Sequence, residues 1–95
     1  MKVEMLRPTY QKSFYGKALV YLFDDGWTYL QSYSTIMVAV RNGRLVRLSS
    51  AKSATTSRHI EAFLDTYADG RMDVKKFYTL KAESIHEHPE ISEEQ

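Results

Sequence analysis

The stretch TIMVAVRNGRLVRL, residues 35–48, carries two apolar runs on either side of Asn42-Gly43. Asparagine followed by glycine is a strong hairpin signal, because both central residues of a type I′ turn need positive φ. The stretch therefore predicts two antiparallel strands, at 35–41 and 44–48. This turn places Arg41 opposite Arg44, where like charges repel across the ladder. We expect the tip of the hairpin to be solvated or to contact an anion.

A second hairpin is predicted just before the first. Its strands are KALVYLF (17–23) and WTYLQSY (27–33), and the Asp-Asp-Gly between them is typical of a short loop with glycine in the left-handed region. With Phe23 facing Trp27, Tyr21 lies opposite Tyr29. Because side chains alternate between the two sides of a strand, one face collects aromatic residues and the other aliphatic ones. The aromatic side, here called the tyrosine face, consists of Tyr21, Trp27, Tyr29 and Tyr33.

Apolar residues after the hairpins recur with the period of a helix. They occupy positions i, i+3, i+4, i+7 and i+8 and form the stripe that packs on a sheet. The stripe consists of Ile60, Phe63, Leu64, Tyr67 and Ala68. We predict a helix at about 56–68, capped by Thr55, Thr56 or Ser57 and ended by the Asp-Gly pair at 69–70.

A shorter element follows at about 73–81. Asp73 is positioned to cap a second helix, in which Val74, Phe77 and Tyr78 have helical spacing, and a fifth strand is the alternative. The predicted fold class is α+β: a four-stranded antiparallel meander sheet with the main helix packed on one face.

Length and composition predict a single domain without a membrane span. The chain has 95 residues, no cysteine and no apolar run long enough to cross a bilayer. All 13 Lys and Arg residues precede residue 82, whereas five of the 12 acidic residues follow it. We therefore predict a basic domain at 1–81 and an acidic, flexible tail at 82–95. Residues 1–20 lack the pattern of a signal peptide, so a cytoplasmic location is expected.

Basic and hydroxyl residues cluster between the second hairpin and the helix. The segment SSAKSATTSRH, residues 49–59, offers more hydroxyl groups than one helix cap requires, and a helix N-terminus attracts anions. Two interpretations stay open. The hydroxyl groups either cap the helix and belong to a solvated loop, or they form an anion site. The candidate residues for contacting an anion or nucleic acid are Arg41, Arg44, Arg47, Lys52, Thr55, Thr56, Arg58 and His59.

No catalytic set is recognised in the sequence. Ser57 and His59 lie within one helical turn, and no third residue is identifiable that would orient the histidine. His86 and His88 lie in the acidic tail and make a weak metal site. We therefore predict a protein that is not an enzyme and has no cofactor or bound metal.

The tyrosine face has two interpretations that the sequence leaves open. Its rings are either core, covered by another segment, or an interface that docks on a partner or stacks on bases. One expectation is a two-fold homodimer in which Tyr21, Trp27 and Tyr29 meet their own copies. The competing view is a monomer whose segment after Asp73 folds across that face.

Three segments of the sequence resemble an uncharacterised family of small proteins from phages and other mobile elements of Firmicutes and gut bacteria. They are KSFYGKA (12–18), LQSYSTIMVAV (30–40) and SATTSRHIEAFL (53–64). The sequence departs from that pattern in the additional Met37 between Ile36 and Val38. The resemblance carries no known activity. It implies a mobile-element accessory protein, a class in which inhibitors of host defence occur.

The leading functional expectation is accordingly an interaction protein that blocks a bacterial defence system such as a CRISPR nuclease, that is, an anti-CRISPR protein. Its partner would be that host nuclease. The alternative is a nucleic-acid-binding accessory module, in which the basic residues contact phosphates and Tyr29 or Tyr33 stacks on bases.

Overall fold

A computed structural model describes residues 1–7, 14, 16–68 and 72–83. Five strands form one antiparallel sheet in the order β1-β2-β3-β4-β5, and two helices follow them along the chain. The strands are β1 (Lys2–Met5), β2 (Ala18–Leu22), β3 (Thr28–Ser32), β4 (Thr35–Arg41) and β5 (Arg44–Arg47), and the helices are α1 (Ala54–Tyr67) and α2 (Val74–Phe77). The α+β class and the meander order are confirmed.

Both predicted hairpins are present in the predicted register. Tyr21 pairs with Tyr29 between β2 and β3, and Arg41 pairs with Arg44 between β4 and β5. Asn42 has φ 48° and Gly43 has φ 81°, as a type I′ turn requires. The local turn signals therefore determined the register within each of the two hairpins, β2–β3 and β4–β5.

The predicted number of strands was wrong, because β1 adds a fifth at the edge. It pairs with β2 so that Val3 lies beside Tyr21 and Met5 beside Leu19. Its sequence, KVEM, is four residues long and half charged, and residues 6–17 separate it from β2 along the chain. Such a strand is defined by its partner rather than by its own sequence.

Met37, the residue that departs from the resemblance, lies at an irregularity in the sheet. Leu30 pairs with Val38, but the next residue, Gln31, pairs with Ile36, so Met37 has no partner in β3. An extra residue of this kind makes a β-bulge and changes which face the following side chains occupy. Met37 and Val38 consequently both pack on the helix side of the sheet.

Helix α1 starts two residues earlier than predicted. Its N-cap is Ser53, whose hydroxyl accepts from the Thr56 amide at 3.0 Å, so the assignment of the cap to 55–57 was wrong. Thr56 is not the cap, because it lies within the first turn of the helix, where it is buried, as is His59 in the next turn. The helix ends at Tyr67 with Ala68 as its C-cap. The Asp-Gly pair predicted to end it lies outside the described residues.

The segment after Asp73 begins with a helix, α2, and does not form the fifth strand that was the alternative. The Asp73 carboxylate accepts from the Lys76 amide at 2.7 Å, and the helix covers Val74–Phe77. Phe77 packs into the core between the sheet and α1, so the described part of this segment, up to residue 83, does not fold across the tyrosine face. None of the helices in the described ranges is long and apolar enough to cross a bilayer.

The predicted tail starts too early. Ala82 forms a parallel bridge with Arg47, and the Glu83 amide donates to the Arg47 carbonyl at 2.7 Å. Residues 82–83 therefore extend along the β5 edge of the sheet as part of the domain. The rest of the predicted acidic tail, 84–95, lies outside the described residues.

Candidate functional site

The three segments that carry the family resemblance meet at one end of the sheet. Phe14 precedes β2, Ser32 ends β3, and His59 lies in the second turn of α1. The Phe14 and His59 rings contact edge to face with centroids 4.5 Å apart. Residues distant in sequence therefore form one cluster, which makes this end the candidate site.

A buried polar network lies at the centre of this end. The Ser32 hydroxyl is 2.8 Å from His59 Nδ1 and 3.1 Å from the Thr56 hydroxyl. All three side chains are buried among apolar residues. Because buried polar groups must be hydrogen-bonded, the network fixes the position of α1 against β3.

The serine and histidine of this network are arranged for structure rather than for substrate contact. A nucleophile must be reachable, and its histidine is normally oriented by a third group. Both residues are almost fully buried, and in the described part of the chain Ser32 is the residue that hydrogen-bonds the imidazole. The network therefore holds the helix in place beneath a more exposed surface.

Burial lowers the pKa of His59 below its ordinary value of 6.5, because the charged imidazolium loses hydration. The unfolded chain therefore takes up the proton first as the pH falls. The free energy of unfolding should decrease between pH 6.5 and the lower pKa of the folded state, and His59 should contribute no further loss below that pKa. Urea unfolding measured across this range tests the expectation.

The matched control for this prediction is His59→Asn, which keeps a hydrogen-bonding group near Ser32 but does not titrate. Carboxylates and the other histidines contribute equally in both proteins, so the difference between the two pH profiles isolates His59. Parallel profiles would contradict the assignment of a neutral, buried His59.

Tyr33 is the most exposed aromatic residue of the cluster. Its side chain is 49% exposed, and its backbone has φ 56°, a region that non-glycine residues rarely adopt. The Tyr33 amide donates to the Lys17 carbonyl at 2.7 Å, and the Gln31 side chain donates to the Tyr33 carbonyl at 2.9 Å. These bonds hold the turn in its uncommon conformation.

The prediction that Tyr33 belongs to the tyrosine face was wrong. Strand β3 ends at Ser32, so the alternation of side chains does not extend to Tyr33. Its ring lies 5.7 Å from that of His59, on the helix side, and the Lys17 ammonium lies 5.6 Å from its centroid.

The rest of the tyrosine face is largely core. Tyr29 is 0% exposed, and it packs with Ile36, Ala39 and Val46. Tyr21 and Trp27 are half-buried, and the Tyr21 hydroxyl donates to the Gln31 side-chain oxygen at 3.0 Å. Tyr29 is therefore not available to stack on a base or to meet its copy in a dimer.

The predicted anion-binding residues do not form one patch. Arg41 lines a cleft with Tyr67 and Ala68 at the end of α1, and its guanidinium lies 5.9 Å from the Trp27 ring. Lys52 and Thr55 lie at the start of α1, and a helix of 14 residues separates its ends by about 20 Å. The basic hairpin tip with Arg44 and the basic start of α1 are thus separate surfaces.

Arg47 is a core residue with a structural role. It is 9% exposed, and its guanidinium donates to the carbonyls of Ser49, Ser50, Tyr78 and Leu80. It also lies 5.1 Å from the centroid of the Tyr78 ring. With its donors engaged in this way, Arg47 does not contribute to a surface for anions.

Three exposed cations belong to this end of the domain: Lys17 lies against the Tyr33 ring, and Lys52 and Arg58 lie at the start of α1. The Lys52 ammonium lies 4.8 Å from the Tyr78 ring, and the Tyr78 hydroxyl contacts the Ser57 hydroxyl at 2.7 Å. In the described ranges no carboxylate lies within 4.0 Å of these three cations. We call Tyr33 with Lys17, Lys52 and Arg58 the Tyr33 surface.

Sequence reasoning missed Ser32, Phe14 and Lys17 as members of this site. They occur in the segments FYGKA and QSYST, which were recognised for their resemblance alone. Their convergence depends on how β2, β3 and α1 pack.

Comparison with known proteins gives one finding. Residues 1–79 match a family described as a family of unknown function (DUF8033). No curated protein and no solved structure matches the chain. Since the match spans the strands, α1 and α2, the chain belongs to this family of unknown function, DUF8033.

Proposed function

We propose that this protein is a non-enzymatic interaction protein that binds its partner through the Tyr33 surface. The observation that carries the proposal is the exposed Tyr33 ring on a strained, doubly hydrogen-bonded turn. Backbone strain of this kind concentrates at functional positions. A rigid aromatic side chain loses little entropy on binding, which makes it an effective anchor.

The exposed cations beside Tyr33 and at the start of α1 favour an acidic partner surface. Lys17, Lys52 and Arg58 are exposed, and no carboxylate of the described chain neutralises them within 4.0 Å. Cations around an aromatic anchor add specificity and increase the association rate with a surface of opposite charge. The burial of Ser32 and His59 supports a binding role over a catalytic one.

The resemblance to mobile-element proteins extends this proposal to the class of partner. We propose a protein of the host defence machinery, with an RNA-guided nuclease as the leading candidate. Such nucleases hold nucleic acid in a basic channel, and the acidic residues after position 82 are suited to compete for it. The protein would then act as an inhibitor of the nuclease.

Binding of nucleic acid is the second candidate function, and the same surface favours it. Tyr33 is exposed for stacking on a base and Lys17 lies beside its ring, while Lys52 and Arg58 add exposed cations at the start of α1 that are suited to phosphates. Three phosphate contacts would lower the affinity about 20-fold for a single strand, and about 40-fold for a duplex, between about 50 and 200 mM salt. Fluorescence anisotropy with labelled single- and double-stranded oligonucleotides measures this dependence.

The variant Tyr33→Asn tests the proposed surface. Asparagine tolerates the left-handed conformation, so the fold should be retained while the ring is lost. We expect binding to the nuclease partner to weaken at least about tenfold, as for a hot-spot residue. Biolayer interferometry against purified RNA-guided nucleases, followed by cleavage assays, gives both the affinity and the inhibition.

The control is Arg44→Ala, which removes an exposed cation at the opposite end of α1 and should leave binding unchanged. Equal binding by Tyr33→Asn would exclude the Tyr33 surface. Absence of binding and inhibition across the nucleases would overturn the proposed partner class, and anisotropy would then decide the nucleic-acid alternative.

A further inference from the structure

The two edges of the sheet differ in how they are covered. At the β5 edge, Ala82 bridges Arg47 and the Glu83 amide bonds the Arg47 carbonyl. At the β1 edge, no segment of the described chain pairs on the outer side. An uncovered strand edge is a template for pairing with another strand.

The outer edge of β1 is apolar on one face. Val3 is 48% exposed and Met5 is 71% exposed, while Met1 next to the strand is 48% exposed. With Tyr33, these residues are all of the exposed large hydrophobic side chains in the described ranges. Three of the four thus lie at odd positions along one short edge segment, where a partner would cover them.

The free hydrogen-bonding groups belong to the same residues. The Leu6 amide donates to the Ala18 carbonyl at 2.9 Å, which continues the register of Glu4 with Val20. In an antiparallel pair, bonded and non-bonded positions alternate, so the even-numbered residues of β1 bond to β2. The N–H and C=O groups of Val3 and Met5 therefore point away from the sheet.

The other face of β1 carries two opposite charges. Lys2 and Glu4 lie on the helix side, with the Lys2 ammonium 3.1 Å from one Glu4 oxygen and the Tyr67 hydroxyl 3.4 Å from the other. Lys2 and Glu4 flank Val3 on either side. A two-fold axis between the Val3 residues of two chains therefore brings Lys2 of one chain opposite Glu4 of the other. Cross-strand pairs of opposite charge stabilise a ladder.

We propose that β1 pairs antiparallel with β1 of a second copy of this chain, with Val3 opposite Val3 at the two-fold axis. In this register Met1 lies opposite Met5, so each cross-strand pair joins two apolar residues or a cation and an anion. A slip by two residues in either direction would place Lys2 opposite Lys2 or Glu4 opposite Glu4, and like charges then oppose pairing. The result is a continuous ten-stranded sheet across the dimer.

This proposal goes beyond the partner bound at the Tyr33 surface and uses none of its residues. It also differs from a dimer through the tyrosine face, because Tyr29 is buried within one chain. An interface this short is small, so we expect a concentration-dependent dimer rather than a permanent one.

Charge reversal tests the register. Sedimentation velocity from about 10 µM to about 1 mM, a range that detects weak association, should show a dimer of the native chain. Lys2→Glu and Glu4→Lys should each be monomeric, because both place like charges opposite each other across the two-fold axis. The double variant Lys2→Glu/Glu4→Lys should recover the dimer.

Mixing the two single variants provides the decisive comparison. Their charges are complementary, so an equimolar mixture should form a heterodimer although neither variant associates alone. A native chain that stays monomeric up to the highest concentration would overturn the proposal, and so would single variants that still dimerise. Urea unfolding confirms that each variant is folded, and Arg44→Ala serves as the distant control that should dimerise like the native chain.

Discussion

Replacing Arg47 by alanine is expected to lower the free energy of unfolding by about 3–5 kcal/mol, because it removes hydrogen bonds from a charged donor to several carbonyl groups at once, each worth about 1.5–3 kcal/mol. The guanidinium donates to four carbonyls, two in the loop after β5 and two in the segment after α2. Without it, carbonyl groups in a partly buried site lose their donors, at a cost of about 1–3 kcal/mol for each group left unpaired.

Loss of Arg47 should also loosen the segment that follows α2. The guanidinium lies over the rings of Phe77 and Tyr78, so its stem fills space between β5 and α2. Urea unfolding measures the stability, and hydrogen exchange at Ala82 and Glu83 reports on their contact with β5. We expect faster exchange there in Arg47→Ala.

The matched control is Arg44→Ala in the same strand. Arg44 is exposed at the hairpin tip and faces Arg41, so its removal should change stability by no more than about 0.5 kcal/mol. Similar effects of the two substitutions would contradict the structural role of Arg47.

Replacing Phe63 by alanine is expected to cost a similar amount, about 3–5 kcal/mol, because it removes a large side chain and leaves a cavity. Phe63 is fully buried on the side of α1 that faces the sheet, and the centroid of its ring lies 5.1 Å from that of the Tyr67 ring. Asp65→Ala, on the exposed side of the same helix, should remain close to the native stability. A Phe63→Ala protein as stable as the native chain would exclude the packing of α1 described above.

Much of the sheet could be predicted because its signals are local. Asn42-Gly43 requires a backbone conformation that few other residue pairs adopt, and it therefore set the pairing of Val40 with Leu45. The Asp-Asp-Gly loop did the same for Tyr21 and Tyr29. In α1, the helical period of the apolar residues placed Ile60, Phe63 and Leu64 in the core.

The edge strand and the bulge could not be predicted in the same way. Residues 6–17 separate β1 from β2 in the sequence, so no hairpin signal of two or three residues indicates its partner, and pairing with β2 defines its register. Met37 is one more apolar residue in an apolar run, so its sequence does not reveal that the ladder skips it. Both features depend on hydrogen bonds with a neighbouring strand.

The role of each polar or aromatic residue was also decided by the tertiary structure. Arg47 was predicted as a surface cation, and it is buried because α2 and the loop after β5 close around it. The sequence left open whether Tyr29 belongs to the core or to an interface, and its burial places it in the core. Ser32 and His59 are 27 residues apart and meet only because α1 packs on β3.

The sequence by itself thus determined the hairpins, the helical stripe and the cap of α2 by Asp73, since backbone preferences and short-range periodicity act over a few residues. Tertiary structure alone decided which side chains are exposed: Tyr33 with Lys17, Lys52 and Arg58, and the odd-numbered residues of β1. The physical reason is that the exposure of a side chain depends on every segment that packs around it, and those segments are distant in the chain.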